Sequence, residues 1–271
     1  MNSSSVRLLS KVIPKLVVSF AYRQLTNPQI RKLRSNEEAM LQRAVVEDFT
    51  FEKFNIKLYQ WGSGGKRVLL VHGWEGQAGN FADLAEELLK EGYTVYAFDG
   101  PSHGYSSRGK TSLFEFTDLV GVLIKRFQVN MLVSHSFGGV ATTYALFKNQ
   151  ELNIDRYVLL NTPDRFIERI GDVAENIGIT DRVKELLINR LTKETGESVY
   201  DLNVSDFVPH INVQNALIIH DKEDAVIPIE RSRNVHSNWD ACRFMEVQGT
   251  GHFRILRNEA VLKEVLNFLE K

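Results

Sequence analysis

From Arg67 onward the chain alternates two kinds of pattern. Short, almost continuously apolar runs appear in order as RVLLVHG, TVYAFDG, NMLVSHS, RYVLLNT, NALIIHD and CRFMEVQG. Between the first four lie NFADLAEELLKEG, LFEFTDLVGVLIKRF and GGVATTYALFKN, each with apolar residues at helical spacing. Strands that are apolar on both faces and joined by helices specify a mostly parallel sheet with helices on both sides, an α/β architecture. Such sheets bind ligands outside the carboxyl ends of their strands. The residues that follow each apolar run are therefore where chemistry is expected.

The flanking segments read differently. FTFEKFNIKLYQWG, residues 49–62, alternates as a strand or hairpin ahead of the turn GSGGK. Residues 1–47 read as two helices before the main fold. The second is expected to start at Asn27, with Asn27 as N-cap and Pro28 at the first helical position. Residues 164–213 are too long for a crossover and read as two or three helices, a cap inserted over the sheet edge. Both pieces are taken as parts of one domain covering residues 1–271.

Bulk numbers narrow the function classes. A chain of 271 residues with 43% hydrophobic content can bury a large core. A formal net charge of -1, from 33 basic and 34 acidic residues, gives no reason to expect nucleic acid as a partner. Cys242 is the single cysteine, so no intrachain disulfide can form, and a reducing, cytoplasmic setting is expected. VRLLSKVIPKLVVSFAY, residues 6–22, is apolar but interrupted by Arg7, Lys11, Pro14 and Lys15. It is too charged to span a bilayer and lacks the order of a signal peptide. It reads as an amphipathic segment docked on the protein body, with peripheral membrane contact as the sharper alternative.

The strand ends collect His72-Gly73-Trp74, Asp99 to Gly104, Ser134-His135-Ser136, Asp221 to Asp224, and His252. Ser136 stands at a strand-to-helix turn with Ser134 before it and Gly138 and Gly139 after it. A nucleophile on so sharp a turn needs small neighbours, and the helix N-terminus favours developing negative charge. A serine hydroxyl needs a base, and the base needs orienting. His252 follows the last strand, and Asp224 follows the strand NALIIH. The order Ser136, Asp224, His252 is the one expected of a triad on this kind of sheet.

The pieces VLLVHGWEG, FDGPSHGYS, VSHSFGG, HDKEDAVIP and GTGHFRIL resemble the α/β-hydrolase superfamily over residues 67 to about 257. The likeness is strongest to a bacterial group with an N-terminal helical extension and unassigned substrates. Ser134 departs from the usual first glycine of the family's Gly-x-Ser-x-Gly turn, a small-for-small exchange. The resemblance implies the α/β-hydrolase fold with a small helical cap and a serine hydrolase acting on an ester, thioester or related acyl bond, with no cofactor. Ser136 becomes the nucleophile, His252 the base and Asp224 its orienting acid. The oxyanion donors are the backbone N–H groups of Phe137 and Trp74.

Other residues at the edge have plainer readings. Asp221 competes with Asp224 for the acid role but is assigned a turn bond. His72 and His103 are expected to bond loop backbone, Asp99 and Ser106 to fix the loop DGPSHGYS, and His135 to sit behind the turn. Glu75 is expected to point away from the site. His210, His220 and His236 carry no signal. No histidine pair has the spacing of a metal site, so no metal is expected. GSGGKR lacks the hydroxyl that should follow the lysine of a phosphate loop. HGWEGQAGNF with Asp99 imitates a dinucleotide site, but the tight Gly-x-Gly is missing.

Overall fold

The computed structural model describes residues 3–30 and 32–271. In chain order its elements are α1 (Ser3–Val12), α2 (Pro14–Thr26), α3 (Ser35–Gln42), β1 (Val45–Phe51), β2 (Phe54–Trp61), β3 (Arg67–Val71), α4 (Ala82–Lys90) and β4 (Thr94–Phe98). There follow α5 (Leu113–Phe127), β5 (Met131–His135), α6 (Phe137–Lys148), β6 (Ile154–Leu160), α7 (Phe166–Ile177), α8 (Asp181–Thr195) and α9 (Val204–Phe207). The chain ends with β7 (Val213–Asp221), α10 (Ile229–Ser237), β8 (Cys242–Val247), α11 (Gly251–Arg254) and α12 (Glu259–Glu270). All six apolar runs are strands. The elements of the chain divide between two compact units: residues 29–164 with 204–271, which hold all the strands, and residues 1–28 with 165–203.

The larger unit is built on one eight-stranded sheet in the order β1-β2-β4-β3-β5-β6-β7-β8. The first two pairings are antiparallel and the rest parallel. The strand order reverses beside β3, whose neighbours are β4 and β5, and this reversal opens the crevice where α/β sheets bind ligands. Leu69, Leu70, Val133, Val158 and Leu217 are fully buried, which explains the continuous apolar runs. Ser112 caps α5 by accepting the Glu115 N–H at 3.3 Å, and Asn258 caps α12 by accepting that of Val261 at 3.2 Å. Asp164 closes the base of the insertion: its carboxylate accepts the Ser205 N–H at 2.8 Å and the Ser205 hydroxyl at 3.1 Å.

The smaller unit is helical. Val17, Val18 and Val6 pack on Val183, and Ala21 and Tyr22 pack among Ile170, Leu187 and Ile188. The Tyr22 hydroxyl donates to Glu194 at 2.5 Å, and the Arg190 guanidinium lies 3.9 Å above the Tyr22 ring. Among the described residues no helix is long and apolar enough to cross a membrane.

Three boundaries differ from the sequence reading. Residues 1–47 hold three helices rather than two, because α1 and α2 break at Ile13, ahead of Pro14. Asn27 does not open a helix. It ends α2, its N–H bonding the Arg23 carbonyl at 3.0 Å, and α3 starts only at Ser35. A tertiary contact overrides the Asn-Pro signal: the N–H groups of Gln29 and Ile30 donate to the Glu75 carboxylate at 2.7 and 2.6 Å. Finally, of residues 164–213 only 165–203 join the helical unit, and α9 packs with the sheet unit.

Candidate active site

At the carboxyl end of β5 the chain turns into α6 through Ser136, whose φ of 53° and ψ of -125° are unusual for a side-chain-bearing residue. The turn is held by the Ser136 N–H donating to Leu160 O at 2.9 Å and the Gly139 N–H donating to Ser136 O at 2.8 Å. Space dictates the glycines. A Cβ at Gly138 would lie 2.5 Å from the carbonyl oxygens of Val71 and His72, and one at Gly139 would lie 2.4 Å from Thr162 Oγ1. Ser134 is fully buried and its hydroxyl donates to Thr142 Oγ1 at 2.9 Å, so this position takes a small hydrogen-bonding residue. Ser136 occupies the N-cap position of α6, yet its side chain makes no cap bond. Its hydroxyl is aimed elsewhere.

That hydroxyl lies 2.9 Å from His252 Nε2, and His252 Nδ1 lies 2.7 Å from Asp224 Oδ2. With the proton on Nδ1 the imidazole donates to the carboxylate and accepts from the serine. The other Asp224 oxygen accepts the N–H groups of Val226 and Ile227 at 2.7 and 2.9 Å. Burial pushes the Asp224 carboxyl toward a higher pKa, but the bond and charge of His252 and the two backbone N–H groups outweigh it and hold it below the usual range. The group is therefore anionic and able to stabilise an imidazolium.

Asp221, the competitor, faces away from the imidazole. Its carboxylate accepts the Glu223 N–H at 2.6 Å, the Thr250 hydroxyl at 2.6 Å and the Gly251 N–H at 2.9 Å, and also the Thr250 N–H. It ties β7 to the turn that carries His252. Asn161, at the end of β6 with φ 46°, completes this buttress. Its side chain accepts the Asp221 N–H at 3.0 Å and donates to the carbonyls of Gly251 and His252 at 3.0 and 3.3 Å. His135 Nε2–H donates to the same His252 carbonyl at 2.8 Å. Burial lowers the His135 pKa to about 3, so this imidazole is neutral. Sequence reasoning placed His135 behind the turn and missed Asn161. The available signal was a polar residue ending an apolar run at the same sheet edge as the other candidates.

The loop after β3 closes the other side. A Cβ on Gly73 would stand 3.1 Å from Ser136 Cβ, which brings Trp74 beside the turn. The rings of Trp74 and Phe137 meet edge-on at 5.4 Å. Among the described residues neither the Trp74 nor the Phe137 N–H has a hydrogen-bond acceptor. Glu75 (φ 60°) turns its carboxylate to Gln29 and Ile30. His72 braces the loop, its Nδ1–H donating to Gly73 O at 2.7 Å and its Nε2 accepting the Gly100 N–H at 2.9 Å. Burial lowers its pKa to about 4. His103 Nδ1–H donates to Pro101 O at 2.9 Å. Asp99 accepts from Ala78, Tyr105 and Tyr59, and Ser106 donates to the Asp99 carbonyl at 2.6 Å. His220, without signal in the sequence, is buried beside Asp224 and donates Nε2–H to Ile227 O at 2.9 Å. A cleft of about 280 Å³ lies along Trp74, Glu75, His135 and Phe253, and Ser136 does not line it.

Comparison with known proteins places the fold. A family model for the alpha/beta hydrolase fold matches residues 66–177. The uncharacterized hydrolase YugF of Bacillus subtilis (strain 168) is 22% identical over 270 residues, covering 83% of this chain and 98% of that one. A solved membrane phospholipase A, described as a bacterial virulence factor, has a TM-score of 0.66 at 15% identity, over 97% of this chain and 93% of that one. An esterase from Exiguobacterium antarcticum has a TM-score of 0.62 at 20% identity, over 80% of this chain and 96% of that one. These structural likenesses establish the fold.

Proposed function

We propose that this chain, a member of the α/β-hydrolase superfamily, is a serine hydrolase that cleaves an ester, thioester or related acyl bond through an acyl-enzyme. The observation that carries the reading is the hydrogen-bonded line from Ser136 Oγ through His252 to Asp224, set on a turn whose backbone lies at φ 53°. The esterase and phospholipase names of the structural neighbours agree with an acyl substrate.

In the proposed cycle, Ser136 Oγ attacks the acyl carbon while its proton passes to His252 Nε2. Asp224 keeps the Nδ1–H tautomer and stabilises the imidazolium. The N–H groups of Trp74 and Phe137 receive the oxyanion, each worth roughly 100- to 1000-fold in rate. Collapse expels the leaving group, which takes the proton from His252. Water then gives a proton to His252 as its oxygen attacks the acyl carbon, and Ser136 is released with its proton. Serine at the turn disfavours aspartate-nucleophile chemistry. Acyl transfer, perhydrolysis and C–C bond hydrolysis use the same triad and differ in the group that enters or leaves. The setting proposed is cytoplasmic, in keeping with the single, free Cys242.

Labelling with a fluorophosphonate, followed by a chain-length series of p-nitrophenyl esters, tests the reading. The wild-type protein should label and turn over, and Ser136→Ala should do neither. If the wild-type protein neither labels nor cleaves any ester of the series, the hydrolase reading falls behind that of a ligand receptor on this fold.

A further inference from the structure

The first two helices carry a face that their own packing does not use. Val6, Val17, Val18, Ala21 and Tyr22 point into the helical unit. On the outer side stand Leu8 (65% exposed), Val12 (70%), Leu16 (64%) and Phe20 (42%), at intervals of four residues, with Ile13 (38%) at the break between the helices. Single exposed apolar side chains are ordinary on a protein surface, but five within thirteen residues form a patch. A groove of about 390 Å³ runs along it, walled by Leu9, Ile13, Leu16 and Phe20.

The charges around the patch share one sign. Residues 1–36 contain seven of the chain's 33 Lys and Arg residues and none of its 34 Asp and Glu residues. Arg7, Lys11 and Lys15 border the apolar stripe, and Arg23 lies one turn beyond Phe20. Among the described residues these four cations have no ion-pair partner. Three carboxylates on α7 and α8 are committed elsewhere: Asp172 to Arg169, Asp181 to Lys184, and Glu194 to Arg190 and Tyr22. A second copy of the chain is a poor occupant, because a two-fold contact would set the cationic rims of the two patches against each other.

We propose that the outer face of α1 and α2 docks on an anionic lipid bilayer, Leu8, Val12, Leu16 and Phe20 entering the acyl-chain boundary while Arg7, Lys11, Lys15 and Arg23 meet the phosphate headgroups. The helices lie in the interface and do not span it, since neither is long enough. The basic side chains bury their stems along the apolar stripe and extend their charged ends to the headgroup level. Attraction to anionic lipid falls as salt screens the charges.

Flotation of the full chain with vesicles tests this without reference to turnover, so failure of the hydrolase reading would leave the result interpretable. Vesicles of phosphatidylcholine mixed with phosphatidylglycerol should retain at least about ten-fold more protein than phosphatidylcholine alone, and high salt should release it. Val12→Asp with Leu16→Asp should abolish flotation with an unchanged circular dichroism spectrum. Lys11→Glu with Lys15→Glu, which leaves the apolar stripe intact, should do the same on the anionic vesicles. Equal retention on both vesicle types, or flotation that survives both double variants, overturns the proposal. So does a protein that stays with neither vesicle but forms a dimer by light scattering that Leu16→Asp dissociates. That result assigns the face to a second copy.

Discussion

Two aspartates leave the end of β7 within four residues of each other, and they belong to different regions of the site. Asp224 joins the line to Ser136: two backbone N–H groups hold one of its oxygens and the His252 imidazole takes the other. Asp221 joins a buttress of Asn161, His135 and Thr250 that grips the backbone on either side of His252. The buttress has the denser hydrogen bonding, and the line to Ser136 has the three groups of the proposed reaction. Nearness to a strand end therefore does not identify the acid. The partner of the imidazole does.

Ser136→Ala should separate the regions most sharply. It removes the attacking atom and leaves every buttress bond in place, so turnover should fall by about 10⁵- to 10⁶-fold at unchanged stability. Asp224→Asn should follow at about 10⁴-fold, because an amide at that position favours the wrong imidazole tautomer. Asp221→Asn should reverse the balance. It withdraws a charge that accepts four hydrogen bonds, costing about 1–3 kcal/mol in denaturant unfolding, while turnover falls by only about ten-fold as the His252 turn loosens. Equal losses of turnover in the two asparagine variants, or a larger loss at Asp221, would merge the regions and overturn the assignment of Asp224.

The division also marks how far the sequence could be read. The groups proposed to react drew notice because each follows an apolar run at one sheet edge, in the chain order of a triad built on such a sheet. The glycines at 138 and 139 were legible because close backbone approach excludes a Cβ. Asn161 was not, since asparagine after a strand is also an ordinary turn residue and its partners lie 60 and 91 positions away. His220 was hidden for the same reason: its bonds to Ile227 and Ser232 depend on how the loop after β7 folds back. The Asn27-Pro28 signal was real but local, and the Glu75 carboxylate captured the backbone it would have made helical.

Acid should weaken the buttress and the loop after β3 before it reaches the carboxylates. His135 and His72 are held neutral by burial, with pKa values lowered to about 3 and about 4. In the unfolded chain both bind protons below about pH 6.5. The unfolded state then carries more protons than the folded one, so stability is complete above that value and declines as pH falls toward 4. Each histidine contributes a slope of up to about 1.4 kcal/mol per pH unit. Asp221 and Asp224, with lowered pKa values, add stability above about pH 4 that is lost only under more acid conditions. Urea midpoints between about pH 7.5 and 5 should fall less steeply in His135→Gln than in the wild type. Identical slopes would mean that His135 is charged in the folded protein.

Glu75→Gln should have the smallest effect and tests the far side of the site. The carboxylate sits one residue after Trp74 yet accepts from Gln29 and Ile30, so the amide should cost about 1 kcal/mol of stability through two weaker hydrogen bonds. Turnover of a short ester should stay within about two-fold of the wild type, because the Trp74 N–H does not depend on that charge. A substantial gain in turnover would show that the carboxylate reaches the oxyanion and opposes it. Glu75 would then belong with the reacting groups, and the boundary between reacting and supporting residues would have to be redrawn through the loop after β3.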